Sequence, residues 1–326
     1  MIKNKRILLT GGAGFIGTKL CGLLGDDNEI LIYDSLARNS IKGTNLLEKE
    51  NINLVKGDIL DYNHLEKTIN EFKPQIVIHM AAIAGIDTVI KSPIKTMEVN
   101  MIGTYNVLKA SEKNMKIIER FLDFSTSEVF GSYAYKVNEQ STTNLAPVGE
   151  ARWTYQVSKI AGEHLAHSYY KEYGLPIVSI RPFNVFGPGQ VGEGAIHVFV
   201  KKALKDETIS IHGDGDQIRS WCYIDDFVDG IMLALEKKEA IGHSFNIGNP
   251  RGTITINHLA EMTVMLAKSK SKIVHVPKNY VDVELRIPSI DKARKLLDYE
   301  PKIDLSEGIL RTLDWYRKTM EGNDKW

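Results

Sequence analysis

The stretch that decides the fold of this chain is LLTGGAGFIG, at Leu8–Gly17. It places Gly11, Gly14 and Gly17 at three-residue intervals between an apolar strand and a helix. A tight turn requires a positive φ, a bare backbone lets a pyrophosphate approach, and a small residue lets helix and strand pack closely. The helix N-terminus then faces the anion. In this context the spacing predicts the opening of a dinucleotide-binding βαβ unit rather than an ordinary turn.

Outward from this stretch, short apolar runs alternate with helix-length segments, which is typical of βαβ units and a parallel sheet. The predicted strands are Arg6–Thr10, Glu29–Tyr33, Ile52–Val55, Gln75–His79, Arg120–Phe124, Leu175–Ile180 and Thr208–His212. The predicted helices are Phe15–Leu24, His64–Glu71, Met97–Lys113, Tyr155–Tyr173, Ala195–Leu204, Ile256–Lys268 and Ser289–Leu297. We expect an α/β fold with a Rossmann-type doubly wound parallel sheet in residues 1–180. A smaller mixed α/β substrate domain follows in residues 181–326 and returns some segments to the first domain.

Charge balance and cysteine content exclude several classes of function. The 326 residues carry 41 Lys plus Arg and 41 Asp plus Glu, so no cationic surplus is present for a nucleic acid or an anionic membrane. Two distant cysteines, Cys21 and Cys222, allow at most one bridge and no zinc cluster. No apolar run approaches the ~18 residues of a membrane span. We expect a cytoplasmic protein without a metal site.

Asp34 ends the second predicted strand, in LIYDS. A carboxylate there accepts hydrogen bonds from the adenosine ribose hydroxyls and repels a 2′-phosphate, which favours NAD over NADP. A strand-end cap is the structural alternative, and Arg38 close by leaves NADP open. Asp58, in KGDILD, is a candidate for the adenine edge, although an ordinary turn aspartate explains it nearly as well.

A tyrosine and a lysine four residues apart supply the candidate chemistry. Tyr155 and Lys159, in YQVSK, fall on one face of a predicted helix. A lysine ammonium near the phenol would lower its pKa, so that the phenolate takes a hydroxyl proton while hydride leaves the same carbon. Thr126, in the STSE stretch after the fifth strand, can orient that oxygen. An isolated YxxxK is most often plain surface, and only the combination with the glycine stretch and STSE indicates a catalytic site.

The order of these motifs resembles the extended short-chain dehydrogenase/reductases, the NAD-dependent nucleotide-sugar epimerases and dehydratases. The resemblance covers nearly the whole chain and rests on TGGAGFIG, KGDILD, HMAAIAG, VNMIGTYNVL, STSEVFG, YQVSK, RPFNVFGP, HGDGDQIRSWCYIDD and DVELRIPSI. It implies NAD as the cofactor, a nucleotide sugar as the substrate and a catalytic Thr126, Tyr155 and Lys159. The residues that it implies in cofactor binding are Gly11, Gly14, Phe15, Ile16, Gly17, Asp34, Asp58, Ile59, Ala81, Ala82, Tyr155 and Lys159.

The resemblance also implies a substrate-binding set. Asn184, Arg219 and Arg286 fall where the family contacts the diphosphate of the sugar nucleotide. Two arginines can neutralise a diphosphate through forked hydrogen bonds. The structural alternatives are a loop cap for Asn184 and surface ion pairs for the two arginines.

Three reactions remain open after oxidation of the sugar at C4. Glu128 and Ser127 stand where the family's 4,6-dehydratases carry a C5 base and a C6 acid, so dehydration is the leading expectation. A 4-epimerase, including one for uronic acids, needs only the Thr, Tyr and Lys. The oxidative decarboxylases of uronic acids also show T-S-E, an RW pair as at Arg152, and an arginine as at Arg286. A non-catalytic dinucleotide-binding protein is the remote alternative, because such proteins typically lose the Tyr or the Lys.

The resemblance further predicts a homodimer. The helices around Met97–Lys113 and Thr154–Tyr173 match the pair that related enzymes pack against a partner as a four-helix bundle. Met97, Met101, Tyr105 and Leu108 recur at helical spacing, although such a stripe more often faces its own sheet. An isologous two-fold contact is also the commonest oligomeric arrangement.

Overall fold

The structure, a computed structural model, describes residues 2–278, 280–320 and 322. Its strands are β1 (Arg6–Thr10), β2 (Glu29–Asp34), β3 (Ile52–Lys56), β4 (Ile76–His79), β5 (Arg120–Phe124), β6 (Tyr133–Val137), β7 (Ile177–Pro182), β8 (Val185–Phe186), β9 (Ile209–His212), β10 (Ile218–Ser220), β11 (Cys222–Tyr223), β12 (His243–Ile247), β13 (Thr253–Thr255), β14 (Ile273–Val276) and β15 (Leu285–Pro288). Its α-helices are α1 (Phe15–Leu24), α2 (Tyr62–Phe72), α3 (Ile86–Lys91), α4 (Pro93–Met97), α5 (Thr104–Ser111), α6 (Thr154–Tyr173), α7 (Ala195–Ala203), α8 (Ile224–Glu236), α9 (Ile256–Ala267), α10 (Asp291–Leu297) and α11 (Leu305–Met320).

The main sheet is parallel and has the strand order β12-β7-β5-β4-β1-β2-β3. The chain therefore reverses its direction of progress between β1 and β4, which creates the crevice where doubly wound folds bind their ligands. This confirms the predicted Rossmann-type architecture. The last strand, β12, comes from beyond residue 180 and pairs with β7, so one late segment does return to the first sheet. The domain division at residue 180 itself stays a prediction.

Apolar side chains cover both faces of this sheet, as a buried parallel sheet requires. Along β1, Ile7 and Leu9 pack into the cluster on one face, and Leu8 packs into the cluster on the other. The second cluster includes Ala166 and Tyr169 of α6, the helix that carries the YQVSK motif. The sheet thus fixes the height and orientation of α6.

The glycine stretch forms the predicted turn between β1 and α1. Gly11 has φ 72°, and a Cβ at this residue would lie 2.6 Å from the backbone nitrogen of Ala81. A Cβ at Gly17 would lie 2.5 Å from Cα of Gly12. Both distances are impossible for real side chains, so the backbone requires glycine at these two positions.

The predicted helix over residues 97–113 is wrong in detail. The segment consists of α4, a π-helical turn at Glu98–Gly103 and α5. Asn100 lies in the π turn, where its side chain accepts from Ile83 N at 2.8 Å and donates to Ser158 Oγ at 3.1 Å. These bonds join the loop after β4 to α6. Single π turns inside helices are often found at functional sites.

A second, mixed sheet has the order β13-β10-β15-β6. Its strand β6 comes from the first half of the chain and was not predicted. The parallel register of β10 and β15 places Arg219 beside Arg286. The two predicted substrate arginines are therefore neighbours, although 67 residues separate them.

Two further expectations concern cysteines and membranes. Cys21 and Cys222 are both buried free thiols, so the one arithmetically possible bridge is not formed. Across residues 2–278, 280–320 and 322, no helix combines the length and apolar character that crossing a bilayer demands.

Candidate active site

The predicted catalytic residues meet above the carboxyl end of β5. Thr126 lies just beyond that strand, and its hydroxyl hydrogen-bonds the phenol of Tyr155. The same Oγ1 accepts from Glu128 N at 3.2 Å, which caps the short turn Ser127–Phe130. Tyr155 occupies the first turn of α6, and Lys159 follows one turn later and is buried. The hydroxyls of Thr126 and Tyr155 are thus in contact, and the Lys159 ammonium lies on the same helix as Tyr155.

The proton affinity of Tyr155 differs from the expectation. Burial raises its pKa to about 12, and the charge of Glu128 adds to the increase. The hydrogen bond from Thr126 and the charges of Arg152 and Arg286 oppose it. Burial therefore outweighs the opposing groups in the protein alone, and a lowering of the phenol's pKa by Lys159 stays a prediction.

Glu128 lies in a group of five charged residues that we call the arginine cluster. Its members are Glu128, Arg152, Arg219, Asp282 and Arg286. Arg152 grips Glu128 with a forked pair of hydrogen bonds of 2.7 and 2.9 Å. Arg286 approaches the same carboxylate at 3.7 Å. Asp282 lies 3.7 Å from Arg152 and 3.4 Å from Arg219.

This cluster keeps Glu128 ionised. Burial alone would raise the pKa of Glu128, but the charge and hydrogen bonds of Arg152, with the charge of Arg286, hold it below its usual value. A carboxylate with a lowered pKa and occupied oxygens is a poor base for a carbon-bound proton. Its predicted partner Ser127 is a buried hydroxyl rather than a carboxylic acid. The site therefore does not favour the expected 4,6-dehydration.

Two buried nitrogens of the cluster have no hydrogen-bond partner among the residues that the structure describes. They are Nε of Arg152 and Nε of Arg286. The terminal nitrogens of Arg286 are better satisfied, since one donates to Gly131 O at 2.8 Å. Buried donors are almost always paired in proteins, so these two retain capacity for an acceptor that the protein itself does not supply.

The other predicted substrate residues have structural partners. Arg219 donates to the carbonyls of Val283 and Glu284. Asn184 has φ 38°, and its amide donates to Ser220 O at 2.9 Å. The loop-cap alternative for Asn184 thus describes its contact in this structure. Contact of Asn184, Arg219 and Arg286 with a diphosphate stays a prediction.

At the other end of the crevice, Asp34 terminates β2 beside the glycine turn. Its carboxylate accepts from Ala13 N at 3.0 Å and from Leu36 N at 2.7 Å. Burial raises its pKa. Arg38 donates to Ala84 O at 2.6 Å and approaches Glu193 at 4.0 Å, so its guanidinium is engaged across the crevice. The bare backbone at Gly11 and the carboxylate at the end of β2 fit a dinucleotide.

The remaining predicted cofactor residues differ in their exposure. Phe15 and Ile16 open α1 and are half-buried, as is Ala81, whereas Ala82 is exposed. Ile59 is buried against the π turn, where a Cβ on Gly103 would lie 2.4 Å from its Cδ1. Exposed Asp58 accepts from Leu60 N at 2.9 Å, the contact of a turn aspartate.

Residues 187–194 form a strap that is tied to the segment after β2 and to the start of α3. Glu193 accepts from Asp87 N at 2.8 Å and from Thr88 N at 3.1 Å, at the start of α3. Ser40, after β2, donates to Gly189 O at 3.2 Å. The stretch is rich in glycine and proline, which is typical of a loop. The anchoring residues were not predicted, since their partners are distant in sequence.

Comparison with known proteins agrees with this geometry. The sequence profile described as "NAD dependent epimerase/dehydratase family" matches residues 7–248. The chain belongs to this family. It is therefore an NAD-dependent nucleotide-sugar enzyme, as the motifs implied.

Individual relatives differ in their reactions. A UDP-N-acetyl-alpha-D-glucosaminuronate decarboxylase of Bacillus cytotoxicus is 32% identical over 97% of this chain and 98% of its own length. A dTDP-D-glucose 4,6-dehydratase of Dictyostelium discoideum is 36% identical, but over 75% of this chain and 58% of its own length. A solved UDP-glucuronic acid 4-epimerase of Bacillus cereus, in complex with UDP-glucuronic acid and NAD, has a TM-score of 0.87 and 30% identity. It covers 96% of this chain and 99% of that one.

Proposed function

We propose that this enzyme is an oxidative decarboxylase of UDP-linked uronic acids. The observation that carries the proposal is the arginine cluster, in which Arg152 and Arg286 surround Glu128 beside Tyr155. Three arginines face two carboxylates there, so the cluster has an excess of positive charge. An anionic sugar suits this place better than a neutral one, because an arginine fork matches a carboxylate. Relatives that span the whole chain include a uronic acid decarboxylase and a uronic acid 4-epimerase.

The chain's own residues would begin the reaction at the C4 hydroxyl. Thr126 orients that oxygen, and Tyr155 takes its proton. Lys159, one turn further along α6, supplies a positive charge near the phenolate. NAD, when bound, supplies the hydride acceptor. Gly11, Gly14 and Asp34 would hold it through the bare turn and the ribose contact.

The decarboxylation step then needs no base. Oxidation at C4 places a ketone β to the C6 carboxylate. The C5–C6 bond breaks, its electron pair forms the enolate across C4 and C5, and carbon dioxide leaves. A proton adds at C5, and the same hydride returns to C4 with a proton from Tyr155. This sequence agrees with a Glu128 that is ionised and clasped, whereas dehydration requires a free base.

A uronic acid 4-epimerase is the second candidate, favoured by the likeness to the Bacillus cereus structure. The same arginines would then have to restrain the carboxylate so that it survives oxidation of C4. Incubation with UDP-glucuronic acid and with UDP-N-acetylglucosaminuronic acid, followed by product mass, separates the two. Loss of carbon dioxide supports the proposal, and an unchanged mass with inverted C4 supports the epimerase. Loss of water from dTDP-glucose in a parallel reaction would favour dehydration after all.

We also propose that the enzyme is a cytoplasmic homodimer. Large apolar side chains are exposed along the outer helices: Ile94 is 76% exposed, Ile102 51% and Tyr105 41%. Tyr173, at the end of α6, is 57% exposed. A two-fold contact between these helices would cover them. Sedimentation at micromolar concentration should give a dimer, and a monomer there would contradict this proposal.

A further inference from the structure

A row of polar side chains crosses the main sheet beneath Lys159. The strand register places Thr10, His79, Asp123, Ser179 and Ser244 side by side on five neighbouring parallel strands. All five are buried. Each of the first four lies two residues beyond a member of the apolar cluster that contains α6 residues, so the row projects toward α6.

One end of this polar row is electrically neutral. His79 is hydrogen-bonded to Thr10 Oγ1 at 2.7 Å and to Thr104 Oγ1 at 2.9 Å. Burial lowers the pKa of His79 to about 3, with a smaller contribution from Lys159, so the imidazole is uncharged at neutral pH. His79 therefore contributes no charge that could balance Lys159.

The other end of the row contains a closed ion pair. Glu163, one turn after Lys159, is bound by Arg181 at 2.7 and 3.1 Å. Its carboxylate also accepts from the hydroxyls of Ser125 and Ser244. Arg181 thus neutralises Glu163 directly, which leaves this carboxylate little capacity to balance a second cation.

Asp123 is the carboxylate that remains. It is 1% exposed, and Ser179 Oγ donates to it at 3.3 Å. Lys159 is the cation whose charge acts on it. Conversely, burial disfavours the charge on Lys159, and Asp123 and Glu163 favour it. Within the described residues no direct ion pair joins Lys159 to either carboxylate, so the interaction acts through space.

We propose that Asp123 is a positioning residue of the active site, which keeps the Lys159 ammonium charged and fixed beneath Tyr155. Among the described residues whose charges act on Lys159, Asp123 is the one that is not already paired, since Arg181 occupies Glu163 and His79 is neutral. The role acts through Lys159 and rests on the proposed proton transfer at Tyr155. Without Asp123, a buried lysine loses its proton at a lower pH.

The first test measures kcat/KM for the uronic acid substrate against pH. Asp123→Asn should move the alkaline limb of the profile to lower pH by about one unit, because the unsupported ammonium deprotonates earlier. Asp226→Asn is the matched control. Asp226 lies in α8 and is also buried. It accepts hydrogen bonds from the backbone nitrogens of Lys302 and Ile303 at 2.9 Å, and no interaction with Lys159 is found for it among the described residues. It should lose stability without moving the limb.

The second test requires no substrate. At a pH where Asp123 is ionised, Lys159→Met should lower the urea midpoint of unfolding, because it strands a buried carboxylate. Adding Asp123→Asn to that variant should recover part of the loss. Strictly additive midpoint shifts, or an unmoved alkaline limb in Asp123→Asn, would overturn the proposal. If the wild type fails to convert uronic acids, the proposed function fails, and this second test still decides the role of Asp123.

Discussion

The two ionic clusters on either side of Tyr155 differ in how completely they are satisfied. Behind Lys159, Glu163 is bound by Arg181 and by two serine hydroxyls. In the arginine cluster, Nε of Arg152 and Nε of Arg286 are buried without a partner. A fully paired buried network fixes a single arrangement, whereas unpaired donors retain capacity for a ligand. The contrast supports a scaffold role for the group around Glu163 and a substrate-binding role for the arginine cluster.

Tyr155 lies between the two ionic groups and is the proposed acid–base residue, so its loss should have the largest effect on turnover. Tyr155→Phe should reduce turnover by roughly 10²–10⁴-fold, because the positioned acid–base group is removed. Circular dichroism and the urea midpoint should stay close to those of the wild type. A near-normal rate in this variant would remove the catalytic assignment and leave both clusters without a chemical purpose.

Breaking the Glu163–Arg181 pair should destabilise the protein more than breaking an exposed ion pair. Glu163→Gln leaves Arg181 buried without its counter-ion, which should lower the free energy of unfolding by about 3–5 kcal/mol. The matched control is Glu300→Gln, which breaks the surface pair with Arg294 at 2.6 Å. Exposed pairs contribute at most about 1 kcal/mol, so the control should change little. Similar losses in the two variants, measured by urea unfolding, would mean that burial does not distinguish them.

The pH dependence of stability tests Asp123, which lies in the polar row beside the Glu163–Arg181 pair. Burial raises its pKa to about 6, against a lowering by Lys159. A raised pKa means that the folded protein binds this proton more tightly than the unfolded chain, so the stabilisation is present at low pH and is lost as pH rises through 6. When the pH falls from ~6 to ~4, the free energy of unfolding of the wild type should therefore increase by about 2–3 kcal/mol relative to that of Asp123→Asn. If the free energies of unfolding of the wild type and of Asp123→Asn changed equally with pH over that interval, the raised pKa of Asp123 would be contradicted.

A substitution in the arginine cluster should change the kinetic constants more than the free energy of unfolding. Glu128 places a negative charge beside the proposed carboxylate site, which disfavours the bound uronic acid before carbon dioxide leaves. Glu128→Gln should lower KM and lower kcat by about tenfold, the pattern of a removed ground-state destabilisation. Exposed Glu284→Gln, on the neighbouring segment, serves as control and should change neither constant. A raised KM would show instead that Glu128 acts mainly by holding Arg152 in place.

Local signals in the sequence predicted the first sheet well. β1, α1 and β5 lie at the predicted residues, because apolar runs and the glycine stretch determine them without distant partners. β12 was missed: its sequence HSFNI mixes polar and apolar residues, and its strand character depends on pairing with β7. The π turn around Asn100 was missed because it depends on contacts with the loop after β4 and with α6.

The site was predicted only in part for the same reason. The motifs identified Thr126, Tyr155 and Lys159, and helical spacing alone brings Tyr155 and Lys159 onto one face of α6. The fork between Arg152 and Glu128 could not be derived from either motif alone, and it reverses the role expected for Glu128. Asp282 carried a weak signal, since it lies in the DVELR stretch that contains Arg286, but its two arginine partners come from other elements.

The strap formed by residues 187–194 bears on how readily the enzyme exchanges NAD with its surroundings. Its backbone and Glu193 are tied to the segment after β2 and to α3, and Tyr316 of α11 donates to Gln190 O at 3.0 Å. A dinucleotide seated beneath it leaves only after ties to several separate elements have opened together. We therefore expect exchange with free NAD to be slow relative to turnover, so that in the proposed reaction each sugar takes back the hydride that it gave. The rate of such an enzyme should then depend little on whether its surroundings are oxidised or reduced.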